Sequence, residues 1–229
     1  MSNHEFFILL HLVLFVYWLG GDIGVFYSSK FVVNPNLSKE TRLVAAKIMF
    51  NLDLIPRICM SLMLTVGGIL SEFNGLTHPW WQTAAIILLG PFWLAMVLTI
   101  HFNEGKPIAH KLSSFDFGFR WVMIVAILVS VAYSYRTGRL DPAPWIGMKL
   151  VLFAALIFLG LMIRIALKPF ATAFRNLAVQ GASDSDNTAM QASLAKVRVW
   201  VLLLWLILLI QAYLGVAMPL SPEQVALLF

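Results

Sequence analysis

The stretch VRVWVLLLWLILLIQAYLGVAM, residues 197–218, contains a single charged side chain, Arg198. A helix needs about 20 mostly apolar residues to cross a bilayer. Other apolar runs of similar length recur along the chain. In lipid, backbone polar groups must be paired within the protein, and uninterrupted runs of this length favour helices over the shorter, alternating strands of a barrel. The stretch therefore predicts a polytopic helical membrane protein.

The composition of the whole chain supports this prediction. Hydrophobic residues make up 60% of the chain and charged residues 12%, whereas soluble domains average about 25% charged residues. The net charge is +5, but no basic patch with interleaved aromatic residues occurs, so we expect no nucleic-acid partner. The expected partner is the lipid bilayer. The single cysteine, Cys59, excludes an intramolecular disulfide and a CxxC site.

We predict an all-α fold with one transmembrane domain over residues 1–229 and about six transmembrane helices. The first apolar stretch lacks a basic leader and a small-residue cleavage site, so we expect it to be retained as the first helix. Prolines lie in or beside the gaps between the apolar runs. The predicted helices cover residues 5–27, 43–70, 81–102, 117–135, 144–167 and 197–218.

The longest gap, between the fifth and sixth helices, has a pattern of its own. Phe170, Phe174 and Leu177 recur at helical spacing, which indicates that the fifth helix continues beyond the membrane. Residues 181–187 are typical of a turn, and we expect Ser185 or Asp186 to cap the helix that follows.

Lysine and arginine residues indicate the orientation of the chain. The odd-numbered gaps are the more basic and are therefore predicted to be cytoplasmic. Arg136 and Arg139, in the fourth gap, are the exception to this pattern. We accordingly expect both the N-terminus and the C-terminus on the outer side of a bacterial inner membrane. The basic residues in the odd gaps include Lys30, Lys39, Arg42, Lys106, Lys111, Lys168, Arg175, Lys196 and Arg198.

Ionisable residues inside membrane helices are costly and mark candidate sites. His11 lies in the outer half of the first helix, and Lys149 lies near the outer end of the fifth. Met60 and Met63 fall at a similar depth in the second helix, so the four residues are predicted to share one outer layer. Each residue also has a purely structural interpretation. His11 can form a hydrogen bond with a neighbouring helix, Lys149 can extend to the membrane interface, and the two methionines can fill space in the core.

A second, inner layer is predicted from four further charged residues. Asp22 lies near the inner end of the first helix, and Arg120 lies near the inner end of the fourth. Asp53 and Arg57 are four residues apart on one helical face, which suits an ion pair. These residues form either a polar path through the membrane or purely structural pairs.

The first helix carries His11, Trp18, Gly20 and Gly21, and an aromatic and basic segment ends at Lys30. This pattern resembles the opening of the HemJ/CopD-like group of small membrane proteins. The segment around Lys149 is similar to that group's lysine-led helix. Over about 50 residues, the resemblance implies either haem b with protoporphyrinogen oxidation or copper passage. It identifies His11 with the family histidine and Lys149 with the family lysine.

Three functions follow from these observations. The first is an inner-membrane protein that binds haem b, or alternatively copper, with His11 as the ligand and Lys149, Met60 and Met63 beside it. Such a protein would have a redox or electron-transfer role, as a haem-dependent membrane oxidoreductase or as part of an assembly with a redox partner. The second is a transporter or permease for copper or a small solute that uses Asp22, Asp53, Arg57 and Arg120. The third is an accessory subunit without chemistry, and glycines on the first helix would suit a homo-oligomer.

Overall fold

The computed structural model describes residues 2–219, and this range contains seven helices joined by short connections, with no strand. Six of the helices are long and apolar enough to cross a membrane, so the predicted all-α, multi-pass architecture is confirmed. The predicted outer position of the C-terminal residues 220–229 lies outside the described residues. The helices are α1 (Asn3–Val32), α2 (Lys39–Phe73), α3 (Trp80–Phe102), α4 (Pro107–Arg136), α5 (Pro144–Ala166), α6 (Lys168–Gln180) and α7 (Asp184–Ala217).

Several helices are longer than their apolar runs. The fourth helix was predicted from residue 117 but begins at Pro107, and the last was predicted from residue 197 but begins at Asp184. Pro107 suits the first position of a helix, where its missing N–H costs nothing. These additional turns carry polar residues. The length of an apolar run predicts only the part of a helix that lies within the lipid.

The segment after the fifth helix differs from the prediction in two respects. The helix does not continue through it, because α5 ends at Ala166 and a separate helix, α6, follows after Leu167. The cap of α7 is Ser183 rather than Ser185 or Asp186. The Ser183 hydroxyl accepts from the Asp186 backbone N–H at 3.2 Å, and the Asp186 carboxylate accepts from the Ser183 backbone N–H at 3.0 Å. This reciprocal capping box fixes the start of α7.

The six long helices form a ring in which α1, α2, α3, α4, α5 and α7 follow one another and α7 returns to α1. We call the end that holds Ser2 and the connections 74–79 and 137–143 the proximal end. The distal end holds the connections 33–38 and 103–106 together with α6. All of the basic odd-numbered gaps lie at the distal end, which agrees with the alternation used to predict the orientation.

Glycine residues allow α1 and α2 to pack closely. A Cβ atom at Gly21 would lie 2.8 Å from Pro56 Cδ, and one at Gly24 would lie 2.9 Å from Leu52 Cδ1. Both distances are too short for a side chain, so these positions need glycine for close helix contact. Gly20 has no neighbour within 4 Å at its Cβ position, so it takes no part in this contact.

The distal end has its own small core beneath α6. Phe170, Ala173 and Leu177 on α6 pack against buried residues of α2 and α7. Arg42 is 3% exposed here, and its guanidinium donates to the Val32 carbonyl at 2.8 Å and to Asn187 Oδ1 at 3.0 Å. These bonds join α1, α2 and α7 and hold the distal end of the ring together.

Candidate functional site

The most deeply buried carboxylate of the described chain is Asp116 on α4, which is 4% exposed. Its Oδ2 accepts from Arg120 Nε at 2.9 Å and from Arg164 Nη1, on α5, at 3.1 Å. Its Oδ1 accepts from the indole N–H of Trp93, on α3, at 3.2 Å. One carboxylate therefore binds three helices of the ring together through charge-assisted hydrogen bonds, which are stronger than neutral ones.

The two arginines differ in their further contacts. Arg120 Nη1 lies 3.4 Å from the sulfur of Met60 on α2, and its guanidinium lies 5.4 Å from the ring of Trp93. Arg164 donates to the backbone carbonyl of Ser113 at 2.7 Å. Because α2 and α4 are not neighbours in the ring, the contact between Met60 and Arg120 crosses the interior of the bundle.

The predicted inner-layer residues are connected to this centre. The like charges of Asp22 and Asp53 repel across α1 and α2, and Asp53 forms an ion pair with Arg57 on its own helix. Arg57 lies in turn within electrostatic reach of Arg120. We call this set the distal charge network, with members Asp22, Asp53, Arg57, Arg120, Asp116 and Arg164. The network contains equal numbers of acidic and basic side chains.

Asp116 and Arg164 are absent from the sequence-based prediction. A signal for Asp116 exists, since it precedes Arg120 by four residues just as Asp53 precedes Arg57. Arg164 interrupts the apolar run of α5 close to its end, where a basic residue is easily taken for an interfacial anchor. The grouping of both arginines around one carboxylate requires the packing of α4 against α5.

His11 lies nearer the proximal end, on the interior side of α1. A Cβ atom at Gly67 of α2 would lie 3.4 Å from His11 Cε1, so the imidazole rests against a helix surface without a side chain. The Nδ1 atom of His11 is buried and has no hydrogen-bond partner within residues 2–219. Leaving a polar atom in this state costs about 1–3 kcal/mol, so the nitrogen is available to a partner other than the described residues.

Lys149 on α5 is the charged neighbour of His11. The two side chains interact electrostatically, although α1 and α5 are not adjacent in the ring. The Nζ atom of Lys149 rests against Gly215 of α7, where a Cβ atom would lie only 2.9 Å away. Within the described residues no carboxylate pairs with this ammonium group. We call His11 and Lys149 the proximal donor pair.

An apolar layer separates the proximal donor pair from the distal charge network. Trp18 on α1 and Phe153 on α5 meet edge to face with ring centroids 6.3 Å apart, and both are buried. Trp18 lies seven residues beyond His11 and four before Asp22, which is about 10 Å and 6 Å along the helix. The interior is therefore closed between two polar sites.

The methionines of the predicted outer layer take different positions from one another. Met63 is buried in the apolar core at 8% exposure. Met60 lies against Arg120, so its sulfur faces the distal charge network and not the imidazole. Met60 and Met63 were predicted to lie beside His11 because they have a similar depth in the membrane. The neighbours of each side chain depend also on the direction in which it projects from the helix.

The surroundings of His11 bear on the haem or copper predicted there. In the described part of the chain no three His, Cys, Asp or Glu side chains come together to hold a metal ion. A copper ion at His11 would face the Lys149 ammonium, and like charges repel strongly in a poorly screened interior. An open apolar groove of about 190 Å³, lined by Val13, Leu14, Tyr17, Ile55, Ile58 and Cys59, does not include His11.

At the proximal end, Arg139 is held by specific contacts. Its guanidinium donates to the Thr77 carbonyl at 3.0 Å and contacts His78 Nδ1. His78 Nε2 then lies 2.8 Å from the Ser71 hydroxyl, which bonds the Gly68 carbonyl at 2.6 Å. Burial, and next the positive charge of Arg139, lower the pKa of His78. Arg139, an exception to the charge pattern, thus has a structural role that joins two connections.

Comparison with family models, with curated proteins and with solved structures finds no match to this chain. The functional interpretation therefore depends on the arrangement of the side chains themselves.

Proposed function

We propose that this multi-pass membrane protein is a carrier for a small charged solute, which passes through the interior of the helix ring. The observation that carries this proposal is Asp116, a buried carboxylate shared by Arg120 and Arg164 inside a bundle whose surroundings are lipid. Ionisable groups facing a bundle interior typically mark substrate or ion pathways.

The separation of the polar sites supports the same function. The proximal donor pair and the distal charge network lie on either side of the layer that contains Trp18 and Phe153. A carrier needs sites that communicate with each side in turn and a barrier between them. The closed apolar layer corresponds to an occluded arrangement, and opening it requires α1 to move relative to α5.

The distal charge network is suited to exchange partners. Asp116 binds two arginines at once, so an incoming anion can take over one guanidinium while the other keeps the carboxylate paired. An incoming cation can occupy the carboxylate in the place of one arginine. In the exchange with an anion, the chain avoids leaving an unpaired charge in a low-dielectric interior, which would cost several kcal/mol.

Transport is tested in proteoliposomes by measuring capacitive currents on a solid-supported membrane. The solutes offered are protons, sodium, copper(I), chloride and benzoate, each as a concentration jump. We expect a current with at least one of them, and we expect Asp116→Asn to abolish it because the amide cannot balance two guanidinium groups. The matched control is Glu104→Gln, which removes an exposed carboxylate at the distal end.

Two results would contradict the carrier proposal. One is the absence of current for every solute with correctly folded protein. The other is an undiminished current in Asp116→Asn, since the buried carboxylate would then take no part in the passage of solute.

A haem-linked redox role is the second candidate, and the unpartnered imidazole nitrogen of His11 is the observation that favours it. If haem were bound here, His11 would supply the imidazole ligand of its iron. The test is an absorption spectrum with metal analysis of the detergent-purified protein. A Soret band that is lost in His11→Phe supports the redox role. The absence of both a Soret band and bound metal excludes it.

A further inference from the structure

The proximal donor pair has an unusual combination of properties. Lys149 brings an ammonium group into the bundle interior, and the described residues offer it no ion-pair partner. His11 brings a buried ring nitrogen that also lacks a partner. Two acidic residues at the same end are engaged elsewhere, since Glu5 caps α1 and Glu72 accepts from Thr83.

Glycine residues bring the neighbouring helices close to both donors. His11 rests on Gly67, and Lys149 rests on Gly215, so a bare backbone faces each polar group on the neighbouring helix. The Gln211 amide donates to the Lys149 backbone carbonyl at 2.8 Å and fixes α5 against α7 at this depth. The lysine lies five residues into α5, so the pair lies close to the proximal surface.

We propose that His11 and Lys149 form a binding site for a carboxylate. An anion would neutralise the ammonium group and accept a hydrogen bond from the imidazole, which satisfies both unpartnered donors at once. A carboxylate has two oxygens, so it can accept from both donors. A phosphate group, with more oxygens to satisfy, is bound more commonly by arginine clusters or by several backbone N–H groups.

The carboxylate can reach this site from two sources. It can arrive as a small acid dissolved in water, or as the head of a fatty acid in the leaflet that surrounds the proximal end. The inference deepens the proposed carrier function by naming the ligand class of one site. Equilibrium binding does not depend on movement through the ring, so failure of transport and failure of binding are distinguishable.

The test is a titration of the full-length protein in phosphatidylcholine nanodiscs, using a preparation without Soret absorbance. The probes are benzoate and oleate, each labelled with ¹³C at the carboxyl carbon and observed by NMR at mildly alkaline pH. Benzyl alcohol and oleyl alcohol are the uncharged controls. We expect saturable binding of at least one acid: benzoate alone indicates a dissolved ligand, and oleate alone indicates a lipid.

Variants locate the binding. Lys149→Met removes the ammonium group and is expected to weaken affinity by about tenfold or more, the loss of one charge-assisted hydrogen bond. Gly215→Ala places a methyl group against Lys149 Nζ and should also weaken binding, whereas Gly20→Ala, which meets nothing within 4 Å, should leave it unchanged. Glu104→Gln should bind normally, because Glu104 is exposed at the distal end.

The proposal is overturned if neither acid binds, if the alcohols bind as well as the acids, or if folded Lys149→Met retains the affinity of the unaltered protein. A Lys149→Met protein that fails to fold is replaced in the test by Gly215→Ala, and unchanged affinity in that variant overturns the proposal equally.

Discussion

The two polar regions of the bundle interior differ in how their charges are satisfied. In the distal charge network, Asp116 shares its carboxylate between two arginines and a tryptophan, and these partners lie on α3, α4 and α5. In the proximal donor pair, His11 and Lys149 face each other without an acceptor among the described residues. A satisfied region holds helices together, whereas an unsatisfied one is prepared for a molecule from outside.

This comparison predicts that deleting a charge has opposite effects at the two ends. Removal of one member of a buried pair leaves the other charge stranded, which is strongly destabilising. Removal of a buried charge that has no partner stabilises the fold, because the folded protein no longer bears the desolvation cost of that charge.

The largest effect is expected for Asp116→Ala. The substitution leaves Arg120 and Arg164 without their shared carboxylate, and the free energy of unfolding should fall by about 3–5 kcal/mol. Chemical denaturation in detergent, followed by circular dichroism, measures this change. The control Glu104→Ala removes an exposed carboxylate and should change the free energy by less than about 0.5 kcal/mol. Equal effects of the two variants would contradict the claim that Asp116 stabilises the fold by pairing with two arginines.

Lys149→Met is expected to act in the other direction. Methionine matches the apolar stem of lysine without its unpaired ammonium group, so the free energy of unfolding should rise by about 1 kcal/mol in delipidated detergent. The same denaturation experiment measures it. A decrease of more than about 1 kcal/mol would mean that Lys149 has a partner within the chain, and the contrast between the two regions would disappear.

The smallest effect concerns His78 at the proximal end, outside the membrane-spanning helices. Burial and Arg139 lower the pKa of the folded-state imidazole, so the unfolded chain takes up the proton first as the pH falls. The contribution of His78 to stability is therefore complete above the ordinary histidine pKa and is lost gradually as the pH falls below it. Thermal unfolding between neutral and mildly acidic pH should show a small decrease in Tm.

His78→Gln is the control for this pH dependence. Glutamine can still bond Ser71 but does not titrate, so its Tm should vary less with pH across the same range. An identical pH profile in both proteins would assign the dependence to other groups.

The amino-acid sequence was sufficient to predict the membrane architecture, because twenty-residue apolar runs leave few alternatives in lipid. The pairing of Asp53 with Arg57 was also predictable, since both lie on one helix at a spacing of four residues. The extensions of α4 and α7 were not, because their polar turns lie outside the apolar signal that defined the spans.

The membership of the two interior regions was only partly predictable. Position along a helix gives the depth of a residue, but the side that it faces depends on how the helices pack. Met60 shares a depth range with His11 in the sequence, yet its sulfur lies against Arg120. Asp116 and Arg164 meet only because α4 packs against α5, and no local pattern in either helix records that contact. Haem b and copper at His11 stay predictions.

The central claim is that the distal charge network serves the passage of solute and not only the stability of the fold. The most direct measurement is the solid-supported membrane current of the triple variant Asp116→Leu, Arg120→Met and Arg164→Met. Replacement of a whole buried ion-pair group by apolar residues of similar size is often neutral or stabilising, so this variant should fold. The account predicts a folded protein that gives no current with the solute that drives the unaltered protein. A folded triple variant with undiminished current would contradict it.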